Sequence, residues 1–528
     1  MQKIDDRYRE PRLLQELMQF TALRHPHRTA LVIEGKAYSY EALLDAALRL
    51  ATAMRERGLR RGDRVAIYMD NTWFCVVSIY ATLFASGVFL VINPQTKSGK
   101  LRFILEDSGS RILLSDLHLL PFFENLLDDL PAEMPVWLSG ERNDRTFGEK
   151  AKIESLQQVM DVHQPREWPQ DVIPLDLAAL IYTSGSTGTP KGVMQTHQSM
   201  VFSTGSLIEY LRLDEDDRIL LALPMAFDYG LYQLFMSTAL GATLVIKRSF
   251  TYMGRVIQRM RDEAVTVLPG VPTVFSMLLS SHRRKPLRFE QVRTVTNTAA
   301  ALPPEYITEL MEIFPNARIF KMYGLTECKR VSYLEPEKLL LKPGSVGRAI
   351  PGTEVFLRGP RGEPVAPGEA GILHVRGPHI MKGYWNQPER TRRMLIEGEQ
   401  PDEFVLCTHD WFRMDEEGDL YFIGRSDDII KTRGEKVSPL EIENQLHACP
   451  GIREVAIFGV PDPVLGEAVC LYASIEEGSS LTRAEIKRYC VENLENFMVP
   501  KYLELLDELP KSANGKIDKK QLREMHND

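Results

Sequence analysis

The sequence contains no CxxC and no pair of cysteines at a metal-binding spacing. Its six cysteines, Cys75, Cys328, Cys407, Cys449, Cys470 and Cys490, are scattered. That excludes an ordinary zinc site or redox dithiol and leads to the expectation of a reducing, cytoplasmic setting. There is no basic excess either: 64 Lys and Arg stand against 72 Asp and Glu, a net charge of −8. A nucleic-acid-binding chain usually shows a basic stripe, so that class is excluded. The opening MQKIDDRYREPRLLQEL lacks the apolar core of a signal peptide. No internal repeat and no low-complexity segment occurs. The long uncharged run Phe74–Ile92, FCVVSIYATLFASGVFLVI, is of membrane-span length. But Ser78, Thr82, Ser86 and Gly87 interrupt it and Asn93-Pro94 ends it. A buried helix, a break at Ser86-Gly87 and a short buried strand are expected there, and no membrane span.

What is present indicates a large soluble protein. At 528 residues the chain exceeds one hydrophobic core, so two or three domains are expected. Through the middle, apolar strand-like runs (Leu177–Thr183, Arg218–Leu223, Ala242–Lys247, Val265–Leu268, Arg318–Met322) alternate with helical periodicity such as Met253–Ala264 and Pro304–Phe314. That alternation predicts an α/β fold with parallel sheets. After about residue 340 Gly and Pro become frequent and short strands such as Gly371–Arg376 appear, which predicts a β-rich subdomain over 340–426. The charged, glycine-bearing stretch GRSDDIIKTRGEK at 424–436 then leads into helix, strand, strand and helix patterns. The expected division is a large N-terminal domain, 1–426, and a small α+β C-terminal domain, 427–528, joined at a hinge near Asp427.

The strongest local signal is YTSGSTGTPKG, Tyr182–Gly192. Gly185 and Gly188 permit close backbone approach. Backbone N–H groups and the hydroxyls of Thr183, Ser184, Ser186 and Thr187 can donate to phosphate oxygens, and Lys191 adds positive charge. The lysine spacing is not that of a Walker A loop. A flexible polar linker would not need the apolar strand before it or the helical stretch Gln198–Leu211 after it.

This loop resembles the signature loop of the adenylate-forming superfamily, which includes acyl-CoA synthetases, luciferases and peptide-synthetase adenylation domains. Further motifs follow in the family's order: KMYGLTE at Lys321–Glu327, THD at Thr408–Asp410 with GDLYFIGR at Gly418–Arg425, and PKSANGK at Pro510–Lys516. The resemblance spans roughly residues 20–525. It implies ATP and Mg²⁺ as cofactors, and either CoA or the phosphopantetheine of a carrier protein as the thiol acceptor.

The resemblance also assigns roles. Met322, Tyr323 and Gly324 belong to the adenine motif, with Tyr323 stacking on the base. Thr326 bonds the α-phosphate, and Glu327 ligates Mg²⁺, a hard ion that wants carboxylate and phosphate oxygen. Thr298, Ala299 and Ala300 form an adenine wall with Phe422. Asp410 accepts from the ribose hydroxyls, with Arg425 assisting. Lys516 reaches across the domain interface to stabilise charge at the α-phosphate. The carboxylate would attack that phosphate directly, so the lack of a GxSxG nucleophile elbow is no obstacle. The small domain would then turn about Asp427 and bring Thr432–Lys436 to line the thiol channel.

The substrate stays open at this level. In PMAFDYGLYQLF, Asp228 stands where amino-acid-activating relatives place the counter-ion of an α-ammonium group, and Tyr232 would shape the pocket floor. Alternatively Asp228 pairs with a protein donor or caps a helix. An acyl-CoA synthetase for a fatty or aryl acid is the leading expectation. A stand-alone amino-acid activator loading a separate carrier protein is the alternative. A catalytically inactive nucleotide-binding relative is disfavoured by the joint presence of Lys191, Glu327, Asp410, Arg425 and Lys516. The basic sequel Cys328-Lys329-Arg330 has no role that the sequence explains.

Overall fold

The computed structural model describes residues 10–131, 133–140, 153–169, 171–184, 190–298, 300–425, 428–432, 435–512 and 515–527. Two sheets dominate the larger part. One has nine strands, running from Arg348–Ala349 through Ser332–Leu334, Arg318–Tyr323, Thr294–Asn297, Val267–Gly270, Arg218–Leu221, Thr243–Ile246 and Thr29–Ile33 to Lys36–Ser39. The other has eight, from Gly383–Tyr384 through Pro190–Thr196, Leu177–Ser184, Val88–Ile92, Arg64–Tyr68, Ile112–Asp116 and Val136–Ser139 to Ile153–Ser155. The inner strands of both are parallel, as the βα alternation requires. Both edges of the first sheet and the Gly383–Tyr384 edge of the second are antiparallel while the Ile153–Ser155 edge is parallel, so both sheets are mixed.

The main core lies between these sheets. Along Arg64–Tyr68, Val65 and Ile67 join it while Ala66 and Tyr68 face a second apolar cluster. A strand buried on both faces reads as a continuous apolar run for this reason. The helices Trp73–Phe84 and Asp228–Leu240 are sandwiched in the same core, and Tyr80 and Thr238 join them by a hydroxyl hydrogen bond of 2.6 Å. Trp73–Phe84 is apolar all round because it is buried all round. The chain reverses after it at Ser86, where φ is +62° and the hydroxyl accepts from Arg55 Nη2 at 2.7 Å, then enters Val88–Ile92. No helix among the described residues is long and apolar enough to cross a membrane.

A five-stranded antiparallel sheet follows: Glu354–Arg358, Ala370–Arg376, Phe404–Met414, Leu395–Glu397 and Leu420–Arg425. The C-terminal part has its own five-stranded sheet: Glu435–Val437, Ile430–Thr432, Gly466–Ile475, Ile452–Asp462 and Tyr502–Leu505. Its two apolar clusters draw only on residues from Ile430 onward. Against the larger part it presents exposed ion pairs, Arg283 to Glu476 at 2.7 Å and Arg284 to Glu477 at 3.0 Å.

Candidate functional site

The polar loop connects two strands that pair with each other. Leu177–Ser184 and Pro190–Thr196 form an antiparallel ladder that sets Thr183 opposite Lys191. The second strand is absent from the sequence-based reading, which ran from the loop into a helix; that helix, His197–Leu211, begins one residue before the expected Gln198, under a Thr196–Ser199 capping box. Gly192 fits because a Cβ there would stand 3.1 Å from the Tyr182 ring and 3.3 Å from Trp385. Gly185, Ser186, Thr187 and Gly188 lie outside the described residues, as do Ala299 and Asp427. Of Ser184 only the backbone is described, and the Thr432–Lys436 loop is described in part.

Lys191 reaches Glu327. Its Nζ donates to Glu327 Oε1 at 2.8 Å and to the Tyr384 hydroxyl at 2.8 Å, and Tyr384 donates to the same Oε1 at 2.5 Å. Tyr384 arrives from Gly383–Tyr384, paired with Pro190–Thr196. Burial alone would push the Glu327 carboxyl up; the Lys191 ammonium and the Tyr384 hydroxyl overcome it and hold the group below its usual range. The motif is pinned by its main chain as well, with Gln195 Nε2 donating to the Thr326 carbonyl and Met381 N–H to the Glu327 carbonyl. Gly324 is obligatory: a Cβ would fall 2.2 Å from the Lys329 carbonyl oxygen.

On the far side of the strand Arg318–Tyr323 the Tyr323 hydroxyl donates to Asp410 Oδ2. Its ring packs edge-on against Phe412 at 4.7 Å and lies 6.0 Å from Phe422. Met322, next along the strand, turns into the main core and accepts from the Tyr210 hydroxyl, so only its main chain is left for a ligand. Asp410 and Arg425 are cross-strand neighbours, with Nε 3.4 Å from Oδ1. Burial raises the Asp410 carboxyl despite Arg425 and the Tyr323 hydroxyl, which act the other way. Thr298 is buried and Ala300 exposed. Thr183 Oγ1 and Asn297 Oδ1 are buried and have no hydrogen-bond partner among the described residues, and Asp410 Oδ1 has only the 3.4 Å ion pair with Arg425. Such orphans are the mark of an absent ligand: a hydroxyl that can donate to phosphate and acceptors for ribose or base. Glu327, a buried carboxylate beside them, has the hard-oxygen chemistry that Mg²⁺ takes. Asn297 and Tyr384 were not singled out from the sequence.

Asp228 is the first residue of the helix Asp228–Leu240, where the helix dipole favours a carboxylate. It has a protein partner, Arg330 Nη1, 3.5 Å from Oδ2. Gly230 is required, since a Cβ would meet the Pro224 carbonyl at 2.4 Å. Tyr232 is buried against Phe235. Lys516 hangs on a tight turn in which Gly515, at φ +75°, places its Cα against Thr273 of the larger part. The Lys516 ammonium is held below the usual lysine range by the protein around it; Arg425 adds to that effect, and Asp228 and Asp410 oppose it. One cleft thus holds Lys516, Asp228, Asp410 and Arg425 within electrostatic reach.

An adenylating site is the class this arrangement defines, and comparison with known proteins agrees. Residues 18–385 match the AMP-binding enzyme family and residues 441–516 the AMP-binding enzyme C-terminal domain. The long-chain-fatty-acid–CoA ligase of Bacillus subtilis is 30% identical over 541 residues, covering 97% of this chain and 94% of that protein. The feruloyl-CoA synthase of an Amycolatopsis species is 31% identical, covering 94% and 96%. ATP-bound MatB from Rhodopseudomonas palustris superposes with a TM-score of 0.87 at 28% identity, covering 98% of this chain and 99% of that one. The chain belongs to the AMP-binding enzyme family.

Lys191→Ala tests the loop. Loss of a charged hydrogen bond of this kind is expected to weaken MgATP binding by ~10–10²-fold and to spare AMP. Calorimetry with both nucleotides checks it; equal losses would place Lys191 elsewhere than at the leaving phosphates.

Proposed function

We propose that this chain activates a carboxylic acid as its acyl-adenylate, releasing pyrophosphate, and passes the acyl group to the thiol of CoA. The observation that carries the reading is the convergence on one cleft of the Lys191–Glu327–Tyr384 cluster, the Tyr323–Asp410–Arg425 cluster and Lys516. The named fatty-acid and feruloyl relatives support it.

In this reading Lys191 and the loop around Gly185 and Gly188 hold the β- and γ-phosphates, and Thr183 donates to one of them. Asp410, with Arg425, takes the ribose hydroxyls. Tyr323, Phe422 and the Thr298–Ala300 stretch line the base. Thr326 contacts the α-phosphate. Glu327 would hold Mg²⁺, which supplies charge neutralisation to the phosphates when bound. Lys516 orients the attacking carboxylate and offsets charge as it builds at the α-phosphate. The small domain, 427–528, then turns about Asp427 to hand the adenylate to the thiol.

The test is a panel of acids assayed for pyrophosphate release without CoA and for thioester with it. Release that needs an acid, followed by thioester only when CoA is added, supports the reading. Thioester formed only on a phosphopantetheinylated carrier would replace CoA as acceptor. No release with any acid would point to a nucleotide-binding protein without this activity.

A further inference from the structure

The turn after Glu327 carries two cations into the interior and offers them one carboxylate. Lys329 is 1% exposed and Arg330 4%. Arg330 pairs with Asp228 at 3.5 Å, donates to the Lys329 carbonyl at 2.7 Å and stacks 4.8 Å from the Tyr229 ring, but its Nε has no partner. Lys329 Nζ has no hydrogen-bond partner at all among the described residues; its nearest recorded contact is the face of Tyr232 at 5.7 Å. A buried ammonium without an acceptor is costly. The chain accepts a second cost in the same residue, a left-handed backbone at φ +67°.

The groups facing Lys329 do not supply a counter-ion. Glu327 already accepts from Lys191 and Tyr384. Asp228, on the helix Asp228–Leu240, is within electrostatic range but is Arg330's partner. Cys328 is a buried thiol pushed further from ionisation by burial. His379, fully buried beside Phe202, is pushed down to about 4 by burial and supplies no negative charge. Lys516 likewise makes no ion pair among the described residues. Lys516 and the interior Lys329 are thus two cations without an ion-pair partner among the described residues, and both lie within electrostatic range of Asp228.

We propose that the acid activated here is a dicarboxylic acid, with Lys516 taking the reacting carboxylate and Lys329, flanked by Arg330, receiving the other. The proposal rests on the ligase reading above. A plain fatty or aryl tail would leave Lys329 buried and unpaired. An α-ammonium group would meet two cations and a carboxylate already engaged.

The experiment measures pyrophosphate release for straight-chain dicarboxylic acids, each against its monomethyl ester and the monocarboxylic acid of equal length. The wild type is expected to favour one dicarboxylic acid over its monocarboxylic counterpart by ~10–10²-fold, the scale of one hydrogen bond to a charged group. Lys329→Met is expected to bring that ratio close to one. The variant exchanges a buried unpaired charge for an apolar stem of similar length, so its melting temperature should not drop. A wild type that favours monocarboxylic acids or esters, or a ratio unchanged in Lys329→Met, would overturn the proposal. Should the variant fail to fold, the wild-type ratio decides alone. Release with monocarboxylic acids only sinks this inference and keeps the ligase reading; release with no acid sinks both.

Discussion

Lys516→Ala is expected to slow acyl-adenylate formation by ~10²–10³-fold, the scale for removing one preorganised contact to charge that develops in the transition state. Thioester formation from a supplied acyl-adenylate should survive, because in the proposed second step AMP is the leaving group and the small domain would have turned. The two half-reactions must be measured separately. The structural reason for expecting so large an effect is where the lysine sits. It is carried on the Gly515 turn against Thr273 and has no ion pair among the described residues. Its ammonium is thus preorganised for a group that only a substrate brings. Equal losses in both half-reactions would remove Lys516 from the adenylation step.

Asp228→Ala should act first on the fold. It strips the buried Arg330 guanidinium of its carboxylate, beside a second buried cation. Breaking a buried pair typically costs ~3–5 kcal/mol; with Asp228 partly exposed, about 3 kcal/mol is expected in denaturant unfolding. Activity should fall on every acid, with no crossover between amino acids and their des-amino partners. That outcome separates the present reading from the amino-acid alternative, in which Asp228 would be the counter-ion of a substrate ammonium. A wild type that uses amino acids and ignores their des-amino partners, with the opposite trend in the variant, would restore that alternative and set the Arg330 contact aside as incidental.

Legibility from sequence followed the range of the interactions. Trp73–Phe84 and Val88–Ile92 could be read because a break at Ser86-Gly87 and an Asn-Pro stop are local signals. The strand Pro190–Thr196 could not, because PKGVMQT has the composition of a loop and is a strand only by pairing with Leu177–Ser184. Tyr384 was out of reach for a related reason: it meets Lys191 across 193 residues, and no periodicity marks it. Tyr323, Glu327, Asp410 and Lys516 were named through motifs, and the structure brings them to one cleft. Met322 was named with them, but strand alternation turns its side chain away. For Lys329 and Arg330 the composition was visible and the burial was not. Nothing local explains a lysine and an arginine after the Thr-Glu pair, and only the turn at Gly324, packed against the Lys329 carbonyl, reveals that they fold inward.

Electrolyte should tune how this chain divides its time between its two tasks. The bridges from Arg283 to Glu476 and from Arg284 to Glu477 tie the C-terminal sheet to the body that holds the nucleotide motifs. Both are exposed, and pairs of that kind contribute ~0.2–1 kcal/mol each, weakened further once the Debye length shrinks below about 8 Å. A tether of that strength is comparable to thermal energy. In the proposed cycle it would bias the position of Lys516 without locking it, so departure after adenylation would need no large input. Raising sodium chloride is therefore expected to depress acyl-adenylate formation more than thioester formation. Glu476→Lys with Glu477→Lys should reproduce that imbalance in dilute buffer. Half-reactions that respond to salt in parallel would show that these bridges have no part in the timing.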